Sequence, residues 1–356
     1  MGEPLRVAAT LEQCWHPVPG GTAVAALELV REVDARADVE VVGVAGRHRR
    51  PPLPAFAPPV TVRVLPIARP LLYEMWNRAG WPKVEGATGE VDVVHSTTAI
   101  PAATDLPHVA TVHDIDFVHH PERFTPHGVK VMTRGLDRCR DLRMLACPTR
   151  ATADALVAHG FDHARIEVVP WGVGVKVATD AEVADVRRRY ELPDEFVLHV
   201  GTLEPRKNLP RIAAAVAALA ETLPLVVAGA EGWGESVVGA RARFLGFVPT
   251  DDLAALYRAA TVFAYPSLEE GFGLPILEAM AQSTPVVTST VAATSEVAGD
   301  AAVLVDPGDT AAITRGIALA LADRTGLAAA GRARAQEFSW VATGSRMIEI
   351  YRAVAR

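Results

Sequence analysis

The chain has 356 residues, and half of them are apolar, which suits two domains of ordinary size with a large buried core. A formal net charge of −7 argues against general nucleic-acid binding, since that function needs a basic surface. The three cysteines form no CxxC pair, so we expect buried thiols in a reducing compartment.

Short apolar segments alternate with helical patterns along the whole chain. The first half has a predicted helix at 22–33 and predicted strands at 5–10, 39–45, 91–96, 108–114 and 145–149. The second half has helices at 209–221, 251–260 and 340–356 and strands at 195–201, 223–229, 243–248, 261–267, 284–290 and 301–307. Continuous apolar strands that alternate with helices are typical of parallel sheets covered on both faces.

The fold class that follows is α/β, with two doubly wound Rossmann-like domains that face a central cleft. The boundary is predicted within 168–175, a segment that contains one proline and two glycines. We therefore predict a first domain at 1–172, a second at 173–337, and a terminal helix at 338–356 that packs back on the first domain.

Loops that leave strands and enter helices are the candidate sites, because ligands of doubly wound sheets bind beyond the carboxyl ends of the strands. Gly20 and Gly21 lie in such a loop, where they could admit an anion or simply allow a turn. His113 ends a predicted strand, and we interpret it as a polar contact in the cleft, with a structural histidine as the alternative. Asp114 and Asp116 form an Asp-x-Asp pattern, but nothing else there completes a coordination shell, so no metal site is predicted.

The loop at 201–209 carries two adjacent cations, Arg206 and Lys207. Only four of the 35 basic residues of the chain are lysine, so a lysine at this helix start is unlike an ordinary solvated surface. A helix N-terminus carries about half a unit of positive charge. Together with such helix N-termini, the two cations could offset about two negative charges without a metal. We interpret this loop as a site for a diphosphate leaving group.

The segment "EGFGLPILE" at 270–278 places two glutamates eight residues apart, with a turn between them. Gly271 and Gly273 allow the backbone amides to point towards a ligand. A carboxylate beside a diphosphate would be repelled, so Glu278 is predicted to meet hydroxyl groups such as those of ribose. Glu270 is predicted to accept hydrogen bonds from a sugar or to lie near a developing positive charge. The alternative, that these acids only complement a helix dipole, explains Glu278 but not the whole pattern.

Several motifs occur together in this chain: the Glu-x7-Glu segment, "GTLEPRKN" at 201–208, "GG" at 20–21, "HD" at 113–114 and a final helix at "FSW". With these residues the chain resembles, over nearly its whole length, the retaining glycosyltransferases of the GT-B type in family 4.

The resemblance implies that the first domain binds an acceptor and the second a nucleotide-sugar donor. His113, Glu270, Arg206 and Lys207 would be the catalytic residues: the two cations hold the diphosphate, His113 contacts the sugar, and Glu270 positions and stabilises charge. Glu278 would bind the ribose. The other implied donor-binding residues are Gly20, Gly21, Gly201, Phe247, Val248, Gly271, Phe272, Gly273 and Leu274. The resemblance implies no metal and no other cofactor.

The implied reaction transfers a hexose with retention of anomeric configuration, and the leaving phosphate oxygen takes the proton of the acceptor. The stretch at 113–122 is similar to that of bacterial mannosyltransferases of polysaccharide assembly, so GDP-mannose is the favoured donor and a UDP-sugar the alternative. A glycan, a lipid-linked sugar or a small molecule is the expected acceptor. The chain departs from the commoner family pattern at 170–173, where "PWGV" replaces "PNGV" and a following Asp; this affects the expected interdomain contacts and not the donor site.

Two other functions stay open at this point: a nucleotide-sugar epimerase or hydrolase on the same scaffold, and a noncatalytic nucleotide-sugar-binding protein. No signal peptide or membrane-spanning run is visible, so a cytoplasmic location is expected. Tyr73, Trp76 and Trp81 lie near basic residues and could contact the inner face of a membrane; an ordinary packed helix is the alternative.

Overall fold

A computed structural model of the chain describes residues 3–16, 18–174, 176–220, 223–232 and 242–356. Val175, the last residue of the predicted boundary segment, lies outside these ranges. The chain divides into two compact units, which are described separately here: unit 1 contains residues 1–172 and 340–356, and unit 2 contains residues 173–339.

Unit 1 is a parallel sheet with helices packed against it. Its strands are β1 Leu5–Thr10, β2 Val39–Ala45, β3 Val62–Val64, β4 Val93–Ser96, β5 His108–Thr111, β6 Met144–Cys147 and β7 Ile166–Val168. Among the described residues they form one seven-stranded sheet in the order β3-β2-β1-β4-β5-β6-β7. The helices of this part of the chain are α1 Gly20–Asp34, α2 Leu71–Ala79, α3 Glu85–Thr88, α4 Asp116–His119, α5 Pro126–Cys139 and α6 Arg150–Ala158.

Unit 2 has the same kind of architecture. Its strands are β8 Val197–Val200, β9 Leu225–Ala228, β10 Ala242–Gly246, β11 Val262–Tyr265, β12 Val286–Ser289 and β13 Val303–Val305. In the described part of unit 2 they form a six-stranded parallel sheet in the order β10-β9-β8-β11-β12-β13, which is the strand order of a Rossmann fold. Its helices are α7 Asp180–Arg189, α8 Leu209–Ala217, α9 Thr250–Ala259, α10 Leu274–Ala281, α11 Ala292–Ala298, α12 Thr310–Ala322 and α13 Arg324–Ala335.

The last helix, α14 Trp340–Ala355, belongs to unit 1 and packs against α1. It buries Met347, Ile348 and Tyr351 among the apolar side chains of α1 and the neighbouring strands. The hydroxyl of Tyr351 is hydrogen-bonded to Nδ1 of His95 at 2.8 Å, inside this core. A buried polar contact of this kind fixes the rotation of the helix as well as its position.

The prediction of two doubly wound parallel sheets is confirmed, because the central strands are buried on both faces. Every residue of β9 and β11, for example, is buried. Sequence reasoning missed β3 and β7, which lie at the two edges of the sheet of unit 1. An edge strand is covered on fewer sides, so it does not need a long apolar run, and β3 and β7 have none; Arg63 and Val64 of β3 are exposed.

The aromatic residues of α2 are part of the core. Trp76 is 1% exposed and its indole Nε1 donates to the carbonyl of Pro82 at 3.0 Å, and Tyr73 is also buried. Tyr73 and Trp76 therefore belong to an ordinary packed helix, which was the alternative interpretation, and the suggested membrane contact is wrong for both. Trp81 remains half exposed.

The three cysteines are buried and unpaired, as predicted: Cys14, Cys139 and Cys147. Burial raises the pKa of Cys14 and of Cys139 to about 12, so both stay protonated thiols at neutral pH. Within the described ranges, no helix combines the length and the apolar character needed to cross a bilayer.

Candidate functional site

The loop between β8 and α8 is held in a defined conformation by Asn208. This residue has a φ of 61°, in the left-handed region that asparagine tolerates better than most residues. Its side-chain Nδ2 donates to the carbonyl oxygens of Pro266 at 2.9 Å and Pro307 at 2.7 Å, which follow β11 and β13. The loop is thereby tied to two neighbouring loops at the carboxyl edge of the sheet.

Arg206 and Lys207 lie in a short 3₁₀ turn, Pro205–Lys207, just before Asn208. The loop after β11 reaches the same place, because β8 and β11 are neighbours in the sheet, and the amide of Leu268 donates to the carbonyl of Arg206 at 2.8 Å. Lys207 is only 7% exposed, which removes the alternative of a solvated lysine at a helix start. The structure thus brings the cation loop and the Glu270 loop together.

Glu270 lies between the two cations. Its Oε1 accepts from Nζ of Lys207 at 2.5 Å and its Oε2 accepts from Nη1 of Arg206 at 2.8 Å. Nε of Arg206 forms a second ion pair with Oε1 of Glu204 at 2.7 Å. We call these four side chains the ion cluster; with all four ionised, two positive charges meet two negative charges, so its formal charge is zero.

The electrostatics of the ion cluster favour the charged form of Glu270. Burial alone would raise the pKa of Glu270, but Arg206, Lys207 and the hydrogen bonds to its carboxylate outweigh burial and lower the pKa to about 2. Burial and the charge of Arg206 lower the pKa of Lys207, and Glu270 opposes that change. The carboxylate is therefore what keeps a buried ammonium and a partly buried guanidinium together.

Tyr265, at the end of β11, contacts two members of the ion cluster. Its hydroxyl accepts from Nζ of Lys207 at 2.5 Å and donates to Oε1 of Glu270 at 2.8 Å. The ammonium also lies 4.9 Å from the centre of the Tyr265 ring. The ring of His199, in β8, stacks on Tyr265, and its Nδ1 donates to the carbonyl of Ala264 at 3.0 Å. Burial is the main cause that lowers the pKa of His199 to about 4, so this imidazole is neutral.

The second glutamate, Glu278, occupies a different environment inside α10. Gly273 precedes this helix with a φ of 95°, a conformation that favours glycine, and Pro275 lies in its first turn, where its missing amide hydrogen leaves no intrahelical bond unmade. Oε2 of Glu278 accepts from the hydroxyl of Tyr257 at 2.8 Å. Burial raises the pKa of Glu278, and the bond from Tyr257 only partly opposes this. The two glutamates of one motif therefore have opposite electrostatic environments.

The other predicted donor-binding residues of unit 2 lie at the same edge of the sheet, in loops or, for Leu274, at the first position of α10. Gly201 follows β8 beside the stem of Lys207, and Phe247 and Val248 follow β10, with the ring of Phe247 half exposed. Phe272 and Leu274 bury their side chains, so only their backbones can face a ligand. The first amides of a helix lack intrahelical partners, which makes the start of α10 a suitable place for such contacts.

The loops after β8 and β9 approach each other so closely that only glycine fits. A Cβ atom added at Gly229 would lie 1.8 Å from the carbonyl oxygen of Gly201. The amide of Gly229 also donates to the carbonyl of Gly246 at 2.8 Å. This contact joins the ends of three adjacent strands, β8, β9 and β10, next to the cation loop.

The predicted residues of unit 1 are Gly20, Gly21 and His113. Both glycines are exposed at the start of α1, and Gly20 has a φ of 63°. His113 donates from Nε2 to the carbonyl of Thr97 at 2.8 Å and packs edge-on against Trp171, with 5.1 Å between ring centres. Its Nδ1 is buried with no hydrogen-bond partner among the described residues, and burial lowers its pKa, so this nitrogen presents an acceptor lone pair.

The residues of the Asp-x-Asp pattern make protein contacts. Asp116 is buried and pairs with Nη1 of Arg123 at 3.1 Å, and Oδ1 of Asp114 accepts from the amide of Asp116 at 3.1 Å. No group of three or more His, Cys, Asp or Glu side chains suited to a metal ion occurs within the described ranges.

Sequence reasoning identified the two cations and the two glutamates but not their partners. It missed Glu204, Asn208, Tyr257 and Tyr265. Glu204 and Asn208 flank the cations within the quoted motif, so their position was a usable signal. The tyrosines lie at the ends of a strand and a helix, where an aromatic residue is usually a packing residue.

Comparison with known proteins identifies the family of the chain. Residues 19–177 match the family model "Glycosyltransferase Family 4", and residues 184–338 match "Glycosyl transferases group 1". The O-antigen chain mannosyltransferase B of Escherichia coli is 35% identical over 273 residues, which cover 69% of this chain and 72% of the relative. The chain belongs to the family 4 glycosyltransferases of group 1. This glycosyltransferase therefore transfers a sugar from a nucleotide sugar.

One further relative and one solved structure extend the comparison. A D-inositol 3-phosphate glycosyltransferase of Salinispora tropica is 31% identical over 391 residues, covering 93% of this chain and 80% of the relative. The crystal structure of Anabaena HepE in complex with UDP and glucose superposes with a TM-score of 0.75 at 20% identity, covering 98% of this chain and all of that one. The fold of this glycosyltransferase is accordingly GT-B.

Proposed function

We propose that this enzyme transfers mannose from GDP-mannose to a glycan or lipid-linked acceptor, with retention of configuration and without a bound metal. The observation that carries the proposal is the ion cluster: a buried lysine and a partly buried arginine meet at the carboxyl edge of the sheet of unit 2. These cations suit the diphosphate of a donor, since charge-assisted bonds to phosphate contribute about 1.5–3 kcal/mol each.

The choice of mannose is supported by the mannosyltransferase relative from Escherichia coli. The UDP-bound structural neighbour makes a UDP-sugar the donor to test against it. Glu278, with a carboxylate oxygen held by Tyr257, is the proposed acceptor for the ribose hydroxyls. Phe247 and Val248 are proposed to border the base, and the backbone of residues 271–274 to contact the donor.

The proposed chemistry breaks the bond between C1 of the sugar and the phosphate oxygen, and forms a bond from C1 to the acceptor oxygen on the same face. The acceptor proton passes to the departing phosphate oxygen. Arg206 and Lys207 stabilise the charge that develops on that phosphate. Nδ1 of His113 is proposed to accept a hydrogen bond from a sugar hydroxyl.

The geometry of Glu270 supports a role in positioning and charge stabilisation rather than in covalent catalysis. Both of its carboxylate oxygens accept hydrogen bonds, from Lys207 and Tyr265 on one side and from Arg206 on the other. A carboxylate with a pKa of about 2 is also a weak base and a poor nucleophile.

Thermal-shift measurements with GDP, UDP and ADP identify the nucleotide, because a ligand that binds the folded state raises the unfolding temperature. We expect selective stabilisation by GDP, and NMR of the product should show the anomeric configuration of the donor. Turnover should survive EDTA. An inverted product, or loss of turnover with EDTA that added metal restores, would contradict the proposed mechanism.

The double variant Arg206→Ala/Lys207→Ala tests the cations themselves. It should lose nearly all turnover and the thermal response to the nucleotide. The matched control is Lys176→Ala/Arg315→Ala, which removes one lysine and one arginine from exposed positions of the same unit, 85% and 68% exposed. Turnover that persists in the first double variant would reject the proposed diphosphate site.

A further inference from the structure

The proposed diphosphate site contains as much negative as positive charge. Arg206 is held on two sides, by Glu204 through Nε at 2.7 Å and by Glu270 through Nη1 at 2.8 Å. The side chains of Glu204 and Glu270 are 10% and 7% exposed, so solvent screens neither charge well. A diphosphate that binds to these cations therefore adds negative charge to a site that is already balanced.

The two carboxylates differ in what they do. Glu270 accepts from Lys207, Tyr265 and Arg206 and is a proposed donor contact. Glu204 lies on the same turn as the cations: its backbone carbonyl accepts from the amide of Lys207 at 3.0 Å, and its side chain pairs with Arg206. Orienting Arg206 would require only a hydrogen-bond acceptor at this position, which an uncharged amide also supplies. The negative charge of Glu204 is therefore not needed to orient Arg206, and its effect on a bound diphosphate is separate from its effect on orientation.

We propose that Glu204 is a positioning residue whose charge limits how tightly the enzyme holds a diphosphate. Its carboxylate fixes the plane of the Arg206 guanidinium and at the same time repels the phosphates bound there. The ground-state donor and the nucleoside diphosphate product are held less tightly than the cations alone would hold them, which favours product release. This inference rests on the proposed function, because it assumes that Arg206 and Lys207 bind the diphosphate.

The test is the isosteric variant Glu204→Gln, which keeps an oxygen for Nε of Arg206 and removes the charge. Calorimetric affinities are measured for GDP, UDP and ADP and for the corresponding nucleosides. Removal of a charge close to an ionised ligand commonly changes an equilibrium by about tenfold or more. We expect the diphosphate that binds the wild type to bind about tenfold more tightly to Glu204→Gln, with a lower inhibition constant as product, while the nucleoside binds equally well to both.

Two further variants separate charge from orientation. Glu204→Ala removes both the charge and the hydrogen bond, so it should bind the diphosphate less tightly than Glu204→Gln. Glu195→Gln is the charge-matched control, since Glu195 pairs with Arg324 at 2.8 Å on the surface of the same unit and is 55% exposed. It should leave the affinity unchanged. Circular dichroism confirms that each variant is folded.

The outcomes distinguish this inference from the proposed function. If Arg206→Ala/Lys207→Ala abolishes diphosphate binding but Glu204→Gln binds equally or more weakly than the wild type, Glu204 has only a structural role and the inference is overturned alone. If that double variant binds the diphosphate as well as the wild type, or if none of the three diphosphates binds the wild type, the proposed site and the inference fail together.

Discussion

Replacing Glu270 with glutamine removes a charge from between two buried or partly buried cations and keeps the shape of the side chain. The pKa of Glu270 falls from 4.5 to about 2 in the folded protein, and each pKa unit corresponds to about 1.36 kcal/mol. The carboxylate therefore stabilises the fold by about 3 kcal/mol at neutral pH. This agrees with the cost of about 3–5 kcal/mol for removing one partner of a buried ion pair.

For a unit of about 170 residues, a loss of about 3 kcal/mol lowers the unfolding temperature by about 6–12 °C. Glu278→Gln is the matched control, because it is the same substitution eight residues further along the chain. Burial raises the pKa of Glu278, so its carboxylate is disfavoured in the folded state at pH 7 and a neutral amide is not. We expect Glu278→Gln to leave the free energy of unfolding unchanged or to increase it slightly.

The difference between the wild type and Glu270→Gln should depend on pH. Since the folded pKa of Glu270 lies below the unfolded value of 4.5, its contribution is fully present above about pH 5 and is lost as the pH falls towards 2. Thermal unfolding followed by circular dichroism at pH 7, 5 and 4 measures this difference. The reasoning is refuted if the two glutamine variants are destabilised equally, or if the difference widens as the pH falls.

Three other predictions follow from single contacts. Tyr257→Phe removes the bond to Glu278 and should weaken nucleoside diphosphate binding about fivefold in calorimetry, with no change for the 2′,3′-dideoxy nucleotide, which lacks the hydroxyls. Asn208→Ala should lower the free energy of unfolding by about 1 kcal/mol more than Asn208→Gly, measured in urea, because alanine disfavours a positive φ; equal values would contradict this. Gly229→Ala should lower the unfolding temperature by several degrees, since its Cβ would overlap the carbonyl of Gly201; an unchanged melting curve would contradict this.

The fold could be predicted because its main determinant is local in the sequence. Strands such as β9 and β11 are buried on both faces, so they read as uninterrupted apolar segments between helices. The same physical rule explains the failures at β3 and β7, where an edge position needs no such segment. Trp76 left two interpretations open, because an aromatic residue near charges has no local mark that separates a surface anchor from a core side chain; its burial supports the packed helix.

The site could be predicted in part. The loops after β8 and β11 were identified because strand ends carry ligands in this class of sheet. The pairing of Arg206 with Glu270 joins residues 64 positions apart, and only the adjacency of the two strands in the sheet brings them together. Counting Arg206 and Lys207 without their partners overstated the free positive charge of the site, since Glu204 and Glu270 neutralise both.

That neutral pairing resolves the apparent conflict of a carboxylate beside a diphosphate-binding loop. If neither a donor nor Glu270 were present, the buried ammonium and the partly buried guanidinium would repel each other and would be poorly solvated. They would then lower the stability of the fold. Glu270 provides the anion that allows both cations to stay in place before any ligand arrives, and preorganised cations stabilise a developing phosphate charge without moving first. The same carboxylate competes with the diphosphate for these cations. On the proposed function, the affinity for the donor therefore depends as much on the acids of the ion cluster as on its cations.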